Sequence, residues 1–184
     1  LDAAVERMGG IDVCVNCAGI VIGEKTLGRE GAHRLDSFRR TIEVNLIGSF
    51  NVLRLAAERM ARNGRAEDNG VIVNTASVAW QDGQIGQAAY AASKGGVASL
   101  TLPAAREFAR FGIRVMAVAP GLFETAMSAG LTPDVRAALE SGLPFPSRMG
   151  RPDEFAMLVQ QIVENPILNG EIIRIDSAVR LAPK

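Results

Sequence analysis

Tyr90 and Lys94 have a spacing that could support acid–base chemistry. They stand at i and i+4 in "AAYAASKGG", so a helix would place both on one face. A neighbouring cation lowers the pKa of a phenol, about 10 when free, by roughly 1–3 units. A bare Tyr-x-x-x-Lys is also typical of an exposed pair on a surface helix. Ser77, thirteen residues before the chain's only tyrosine, favours a reactive site instead.

Three short turns follow apolar runs of the sequence. They are "CAG" (17–19), "TAS" (75–77) and "APG" (119–121). Each alone is typical of an ordinary turn after a strand. Parallel strands all end at one edge of a sheet, where ligands bind, so the three turns are predicted to meet in one crevice.

The elements that would position these residues alternate along the chain. Strands are predicted at 10–19, 70–77, 113–120 and 170–176. A polar loop (20–34) follows the first strand, and helices are predicted at 36–63, 88–111, 132–142 and 151–165. The buried face of the first helix is predicted to carry Leu46, Phe50, Leu53 and Ala57. This alternation predicts an α/β fold with a doubly wound parallel sheet.

The two cysteines, Cys14 and Cys17, could suggest a redox pair or half of a zinc site. On a strand they would face opposite sides, with Cα atoms about 10 Å apart, too far for a disulfide. His33 is the only histidine and there is no third cysteine, so no metal site is predicted. Two thiols suit a reducing compartment, which predicts a cytoplasmic location and leaves a mitochondrial one open.

The charge balance argues against some classes of partner. The 184 residues carry 20 basic and 20 acidic side chains, so no net field attracts the chain to nucleic acid or an anionic membrane. No apolar run approaches the roughly 18 residues of a membrane span. Nucleic acid and membrane partners are therefore not expected, and the predicted crevice favours a small-molecule substrate.

At its reactive residues the chain resembles the short-chain dehydrogenase/reductase family. Ser77, Tyr90 and Lys94 match the family's catalytic serine, tyrosine and lysine, and Asn45 matches the asparagine of its tetrad. The resemblance implies hydride transfer between a nicotinamide cofactor and a secondary alcohol or ketone. Tyr90 would exchange the proton, Ser77 would hold the substrate oxygen, and Lys94 would lower the pKa of Tyr90 and bind the nicotinamide ribose. Asn45 would fix a water that links Lys94 to solvent.

The same resemblance implies a cofactor site. "NCAG" (16–19) matches the family's Asn-Asn-Ala-Gly turn, with cysteine replacing the second asparagine, and "PGLFET" (120–125) matches its Pro-Gly segment. The implied cofactor-binding residues are Asn16, Cys17, Ala18, Gly19, Tyr90, Lys94, Pro120, Gly121, Phe123 and Thr125. Cys14 is expected in the core.

Within the family the chain is most similar to the branch of type 2 3-hydroxyacyl-CoA dehydrogenases. The segments that carry this likeness include "GQAAYAASKGG", "LPFPSRMG" and "ILNGEIIRID". The resemblance implies NAD as cofactor, an acyl-CoA substrate and a homotetramer in which helices 36–63 and 88–111 pair. A 3-oxoacyl-carrier-protein reductase and a hydroxysteroid dehydrogenase stay open, as does, from another class, a non-catalytic scaffold or an inert fragment.

The resemblance also predicts where this chain lies within its fold. The Gly-rich phosphate turn and the acidic residue that selects NAD over NADP are not in the sequence. Residues 1–184 are therefore expected to be the C-terminal part of one Rossmann-type domain that lacks its N-terminal βαβαβ portion, about 60–80 residues at roughly 30 per βαβ unit. Residues 122–150 are predicted to form the substrate-binding loop region.

Overall fold

The computed structural model describes residues 1–65, 68–125, 128, 130 and 132–183. Its strands are β1 (Val13–Asn16), β2 (Leu27–Gly28), β3 (Gly31–Ala32), β4 (Gly70–Thr75), β5 (Ile113–Pro120) and β6 (Ile172–Ile175). Its α-helices are α1 (Asp2–Met8), α2 (Leu35–Ile42), α3 (Gly48–Met60), α4 (Ala88–Phe108), α5 (Pro133–Ser141) and α6 (Pro152–Glu164). A π-helical turn (Glu43–Ile47) joins α2 to α3, and short 3₁₀ turns lie at Val78–Trp80 and Ala109–Phe111.

A four-stranded parallel sheet organises the fold. Its order is β1-β4-β5-β6, and every neighbouring pair in it is parallel. The central strands β4 and β5 are buried almost throughout, as expected for apolar runs covered on both sides. The predicted α/β parallel sheet is thereby confirmed.

Both faces of the sheet carry a core. On one face Leu53 and Met60 of α3 pack with Ile72 and Val115 of the sheet. On the other face Val71, Val73, Met116 and Val118 pack against Ile162 of α6. Successive residues of β4 thus alternate between the two cores, which is the period of a strand. Helices on both faces confirm the doubly wound arrangement.

The predicted first helix is interrupted, and one member of its predicted buried face is wrong. A π-helical turn at Glu43–Ile47 separates α2 from α3, and Phe50 is 51% exposed. The buried residues of α3 centre on the stripe Ser49, Leu53, Ala56 and Met60. Phe50 lies one residue, about 100°, from the start of that stripe and falls at its border.

The loop 20–34 differs from its prediction, whereas the start of α5 agrees with it. The predicted loop 20–34 contains the antiparallel pair β2–β3, and the Glu24 amide donates to the Gly86 carbonyl at 2.9 Å. The hairpin therefore lies beside the segment that leads into α4. As predicted, Thr132 caps α5, accepting a hydrogen bond from the Val135 amide. No helix within the described ranges is long and apolar enough to cross a bilayer.

Candidate functional site

The carboxyl ends of β1, β4 and β5 meet at one open cavity of about 510 Å³. From the three predicted turns, its lining includes Cys17 and Gly19, Thr75 to Ser77, and Pro120 and Gly121. Tyr90 and Lys94 of α4 complete the same wall. The predicted convergence of the three turns is confirmed. The physical reason is the parallel sheet, which places all strand ends on one edge.

Lys94 is the most deeply buried charged group of the cavity. It is 4% exposed, and its Nζ donates to the Thr75 carbonyl at 2.6 Å. Burial lowers the pKa of Lys94 to about 8, while the nearby Cys17 acts in the opposite direction. An ammonium has three donors, and Thr75 accepts one of them. The remaining two can bind acceptors in the cavity.

Tyr90 lies on the same face of α4 as Lys94, with the Nζ atom 5.9 Å from its ring centroid. Burial raises the pKa of Tyr90, and a hydrogen bond with the Ser77 side chain opposes this by less. The expected net lowering by Lys94 therefore does not occur in the protein by itself. The ammonium is bound to the Thr75 carbonyl, and desolvation of the phenolate dominates. Tyr90 is thus a protonated phenol at neutral pH and can donate a proton.

Ser77 is held rigidly just beyond β4. It is 8% exposed, and its Oγ accepts a hydrogen bond from the Ala79 amide at 3.2 Å. This bond caps the 3₁₀ turn Val78–Trp80 and sets the direction of the hydroxyl. The hydroxyl therefore lies beside the Tyr90 phenol as a second group able to bind one substrate oxygen.

Asn45 lies behind the cavity, fully buried in the π-helical turn. Its Oδ1 accepts from the Ile20 amide at 2.8 Å, and its Nδ2 donates to the Ile20 carbonyl at 2.9 Å and to Ser93 Oγ at 3.0 Å. Both ends of the amide are therefore occupied by protein groups. Asn45 fastens the turn after β1 to α4, and π-helical turns frequently mark such functional positions.

The turn after β1 is shaped for close approach. β1 ends at Asn16, so Cys17 and Ala18 lie beyond the strand and are exposed, which corrects the predicted strand end at residue 19. Both cysteines are free thiols, and burial raises the pKa of Cys14. A Cβ at Gly19 would lie 3.5 Å from Lys94 Nζ, so glycine leaves the ammonium open to the cavity.

Asn16 is the candidate cofactor residue whose side chain is turned to the protein. Its Nδ2 donates to Asn74 Oδ1 across the β1–β4 pair at 2.8 Å. Asn74 itself is fully buried. Asn16 therefore joins the two strand ends, while Cys17 and Gly19 provide the cavity surface.

The turn after β5 forms the opposite wall. The Gly121 amide donates to the Ile175 carbonyl at 2.9 Å, and a Cβ at Gly121 would lie 2.9 Å from the Cβ of Asp176. Phe123 lines the cavity, and its ring lies edge-on to Phe155 with centroids 6.3 Å apart. Thr125 also lines the cavity and is exposed. Within the predicted loop region 122–150, residues 126, 127, 129 and 131 lie outside the described residues.

These walls fit a nicotinamide and its ribose. Lys94 offers two ammonium donors to vicinal hydroxyls, and Gly19 leaves that ammonium open to a ligand, while Gly121 lets the opposite turn pack closely on Asp176. The fit covers this half of a dinucleotide, with Tyr90 and Ser77 beside it. Among the described residues, no cluster of three or more His, Cys, Asp or Glu side chains could hold a metal ion.

Five lining residues were missed by sequence reasoning. They are Val78, Ala79, Gln84, Gln87 and Leu181. Gln84 and Gln87 precede Tyr90 closely, so their position before a reactive residue was a usable signal. Leu181 lies 91 residues beyond Tyr90, and only the folded chain brings it to the cavity.

Known proteins with similar sequences and structures are short-chain dehydrogenases, in agreement with this geometry. The family profile of the short chain dehydrogenases matches residues 1–136. The chain is 54% identical to 3-hydroxyacyl-CoA dehydrogenase type-2 of Bos taurus, over 100% of this chain and 72% of that protein. The corresponding Drosophila melanogaster protein is 52% identical, over 100% of this chain and 73% of that protein. A crystal structure of 3-hydroxyacyl-CoA dehydrogenase type-2 from Mycobacterium avium has a TM-score of 0.94 at 38% identity, covering 99% of this chain and 73% of that one.

Proposed function

The chain belongs to the short-chain dehydrogenase family, and we propose that it is an NAD-dependent 3-hydroxyacyl-CoA dehydrogenase. It is an oxidoreductase that acts on CH–OH groups, and the family uses NAD(P). One observation carries the proposal: Ser77, Tyr90 and Lys94 line one cavity at the carboxyl edge of the sheet. The high identity to relatives named for 3-hydroxyacyl-CoA supports the substrate class.

Tyr90 and Ser77 would act on the substrate oxygen. In the direction of reduction, the Tyr90 phenol donates its proton to the oxygen of the 3-oxo group as that oxygen gains negative charge. Ser77 donates a second hydrogen bond to the same oxygen and stabilises the developing charge. Burial raises the pKa of Tyr90, so the phenol holds its proton in the protein alone and releases it only as negative charge builds on the substrate oxygen.

Lys94 and Asn45 would support the cofactor side. NAD held here would supply the carbon that accepts or donates the hydride. Lys94 would bind the ribose hydroxyls through its two remaining N–H groups. Asn45 holds the adjoining turn in place through Ile20, and its side chain has no N–H left for the water expected from the family resemblance. Cys17, Ala18, Gly19, Pro120, Gly121, Phe123 and Thr125 are the proposed cofactor contacts, with Asn16 supporting the turn from behind.

The cavity walls suit a thioester with an acyl chain. The substrate side is largely apolar, with Val78, Ala79, Leu122 and Leu181, and the polar groups Gln84 and Gln87 stand beside Tyr90. The cavity is open to solvent, so a long substituent can extend out of it. An apolar wall would also accept a steroid, and the measurement below therefore includes one.

A homotetramer is proposed on the same family resemblance. Apolar side chains are exposed on the helical segments expected to pair, among them Ile47 at 55%, Phe50 at 51% and Leu102 at 43%. Exposed apolar side chains on neighbouring helices favour association with another surface. Burial against another subunit would account for the apolar ring of Phe50 outside the core.

The first experiment compares the full-length protein with its Tyr90→Phe variant. NADH absorbance is followed on mixing with acetoacetyl-CoA, with NADPH, an acyl-carrier-protein thioester and a steroid ketone in parallel. We expect NADH consumption with acetoacetyl-CoA, and a loss of about 10²–10⁴-fold in kcat in the variant because the proton donor is gone. Quenching of tryptophan fluorescence, to which Trp80 contributes, reports whether both proteins bind NADH.

The outcomes separate the alternatives. Preference for NADPH and the carrier-protein thioester would identify a 3-oxoacyl-carrier-protein reductase. Turnover of the steroid alone would identify a hydroxysteroid dehydrogenase. Folded, NADH-binding protein without turnover of any of these would refute the dehydrogenase proposal. A scaffold role would then predict partner binding that Tyr90→Phe leaves unchanged.

A further inference from the structure

Arg174 of β6 lies outside the cavity, yet its guanidinium joins the two walls of the cavity. Nε donates to Asp176 Oδ2 at 2.7 Å, and Nη1 donates to Gln81 Oε1 at 2.8 Å. Nη2 donates to Asp82 Oδ2 at 2.7 Å and to the Val179 carbonyl at 3.0 Å. The three charged side chains, Arg174, Asp82 and Asp176, are 16%, 14% and 10% exposed. We name these three residues the Arg174 cluster.

One arm of the Arg174 cluster reaches the proposed cofactor wall. Asp176 packs directly against Gly121, where an added Cβ would lie 2.9 Å from the Asp176 Cβ. The backbone before Asp176 holds the same turn, because the Ile175 carbonyl accepts from the Gly121 amide. A shift of Asp176 would therefore move the turn that carries Phe123 and Thr125.

The other arm reaches the substrate wall. Asp82 belongs to the segment 81–87, which connects the 3₁₀ turn after Ser77 to the start of α4. Gln84 and Gln87 of this segment line the cavity, and Tyr90 follows in the first turn of the helix. Arg174 of β6 therefore holds the segment between Ser77 and Tyr90 at two side chains, Gln81 and Asp82.

The C-terminal residues 177–183 add a further link between β6 and segment 81–87. Ser177 and Ala178 have φ values of +53° and +59°, a region that favours glycine, and the Ala178 amide is held by Asp176 Oδ1 at 3.1 Å. This turn directs residues 179–183 across segment 81–87. There the Ala182 carbonyl accepts from Gln84 Nε2 at 3.0 Å, and the Pro183 carbonyl accepts from the Ile85 amide at 2.9 Å.

We propose that Arg174 is a positioning residue for the reaction, and that it sets the separation between the Gly121 wall and the Gln84–Tyr90 wall. The proposal rests on the proposed function of the cavity. Arginine suits this role because its planar fork can bind several acceptors in fixed directions, whereas a lysine is a single point charge. Arg174 touches neither substrate nor cofactor and acts through the two walls.

The test uses full-length Arg174→Met, Arg174→Lys and Arg180→Met proteins. Arg180 also pairs with Asp176, at 3.5 Å, but its side chain is 66% exposed, so it is a matched control for charge removal. We expect Arg174→Met to lower kcat with acetoacetyl-CoA on the order of ten- to a hundredfold, since a small misplacement of reacting groups costs this much. kcat and kcat/KM should fall together while NADH still quenches the tryptophan fluorescence. Arg174→Lys should recover part of kcat, and Arg180→Met should match the parent.

Three results would overturn the positioning role of Arg174. A folded Arg174→Met protein with parental kcat would overturn the proposal, as would an equal loss in Arg180→Met. Should Arg174→Met not fold, Asp82→Ala removes the hydrogen bond to Asp82 and keeps the Arg174–Asp176 pair, and parental kcat in that variant would overturn the proposal too.

Amide hydrogen exchange separates this proposal from the proposed function, because it needs no substrate. If the parent protein does not reduce acetoacetyl-CoA, the substrate assignment fails, and exchange across residues 84–90 then tests the Arg174 cluster alone. Faster exchange in Arg174→Met but not in Arg180→Met supports the positioning role. Equal exchange in all proteins refutes it.

Discussion

Two ion-pair groups flank the cavity, and they differ in burial. In the Arg174 cluster the charged side chains are 10–16% exposed and bind through several short hydrogen bonds. On the side of the predicted loop region (122–150), Arg136 of α5 pairs with Glu124 and Glu140, and the three side chains are 46%, 42% and 25% exposed. Solvent screens the exposed group, so it contributes little rigidity, whereas the buried group can hold a fixed distance.

The elements that carry these groups differ in the same way. The sheet side places Ser77, Asn45 and Lys94 in the protein interior. Helix α5, between the cofactor turn and α6, has no buried residue. A rigid half that holds the proposed reacting groups and a less buried segment on the other side are expected where substrates must enter and leave. Three substitutions test whether this division is real.

Lys94→Met should give the largest effect on activity. It removes a buried ammonium that we propose binds the cofactor ribose, and kcat/KM for NADH should fall on the order of 10²-fold or more, about 3 kcal/mol. Arg106→Met, an exposed residue of the same helix, is the matched control and should leave kcat/KM unchanged. A parental kcat/KM in Lys94→Met would contradict the proposed role of Lys94 in binding the cofactor.

The pH dependence sharpens the same test. The pKa of Lys94 in the folded chain is about 8, against 10.5 as the ordinary value. Between these two values Lys94 binds a proton in the unfolded chain but not in the folded one. The burial of its charge therefore lowers the free energy of unfolding fully below pH 8, and this loss is recovered as the pH rises toward 10.5. Lys94→Met should therefore be more stable at pH 7 by about 1–3 kcal/mol, with the difference shrinking above pH 8 and vanishing only above about pH 10.5. Thermal unfolding of both proteins measures this difference, and parental activity should fall above pH 8.

Asn45→Ala should give an intermediate effect on both stability and rate. It leaves the Ile20 amide and carbonyl without their side-chain partners, which costs about 2–4 kcal/mol. Asn51→Ala is the control, because Asn51 is exposed and binds only Arg54 among the described residues. We expect kcat to fall about tenfold as the turn after β1 loosens. Urea unfolding that shows equal stability in both variants would contradict the clamp assigned to Asn45.

Arg136→Ala should give the smallest effect. The free energy of unfolding should change by less than about 1 kcal/mol, as for exposed pairs in general. Arg62→Ala removes another exposed i,i+4 pair, with Glu58, and is the matched control. Only Arg136→Ala should raise KM for acetoacetyl-CoA, by about two- to threefold, and added salt should mimic it. A large loss of kcat in Arg136→Ala would show that the segment carrying α5 also positions the proposed reacting groups.

Much of the site follows from local patterns. The apolar runs before residues 17, 75 and 119 predict parallel strands, and their shared edge predicts the crevice. The i,i+4 pair Tyr90 and Lys94 after Ser77 predicts where the proton is exchanged. The predictions of the sheet and of the crevice are confirmed because strand periods are properties of neighbouring residues, whereas the place of proton exchange stays a prediction.

Other features depend on contacts between distant parts of the chain. The π-helical turn around Asn45 and the β2–β3 hairpin have no strong local period, and sequence reasoning missed both. The predicted lowering of the pKa of Tyr90 was wrong for the protein alone, since spacing shows which charges are near but not how much water is removed.

By itself, the sequence determined the type of sheet, the order of its elements and the candidate reacting residues, because these depend on periodicity and on side-chain chemistry. Tertiary structure alone decided that Leu181 lines the cavity, that Asp82 meets Arg174 across 92 residues, and that Lys94 is buried with a pKa of about 8. The reason is that burial and long-range contact depend on the packing of whole elements, which no short stretch of residues contains.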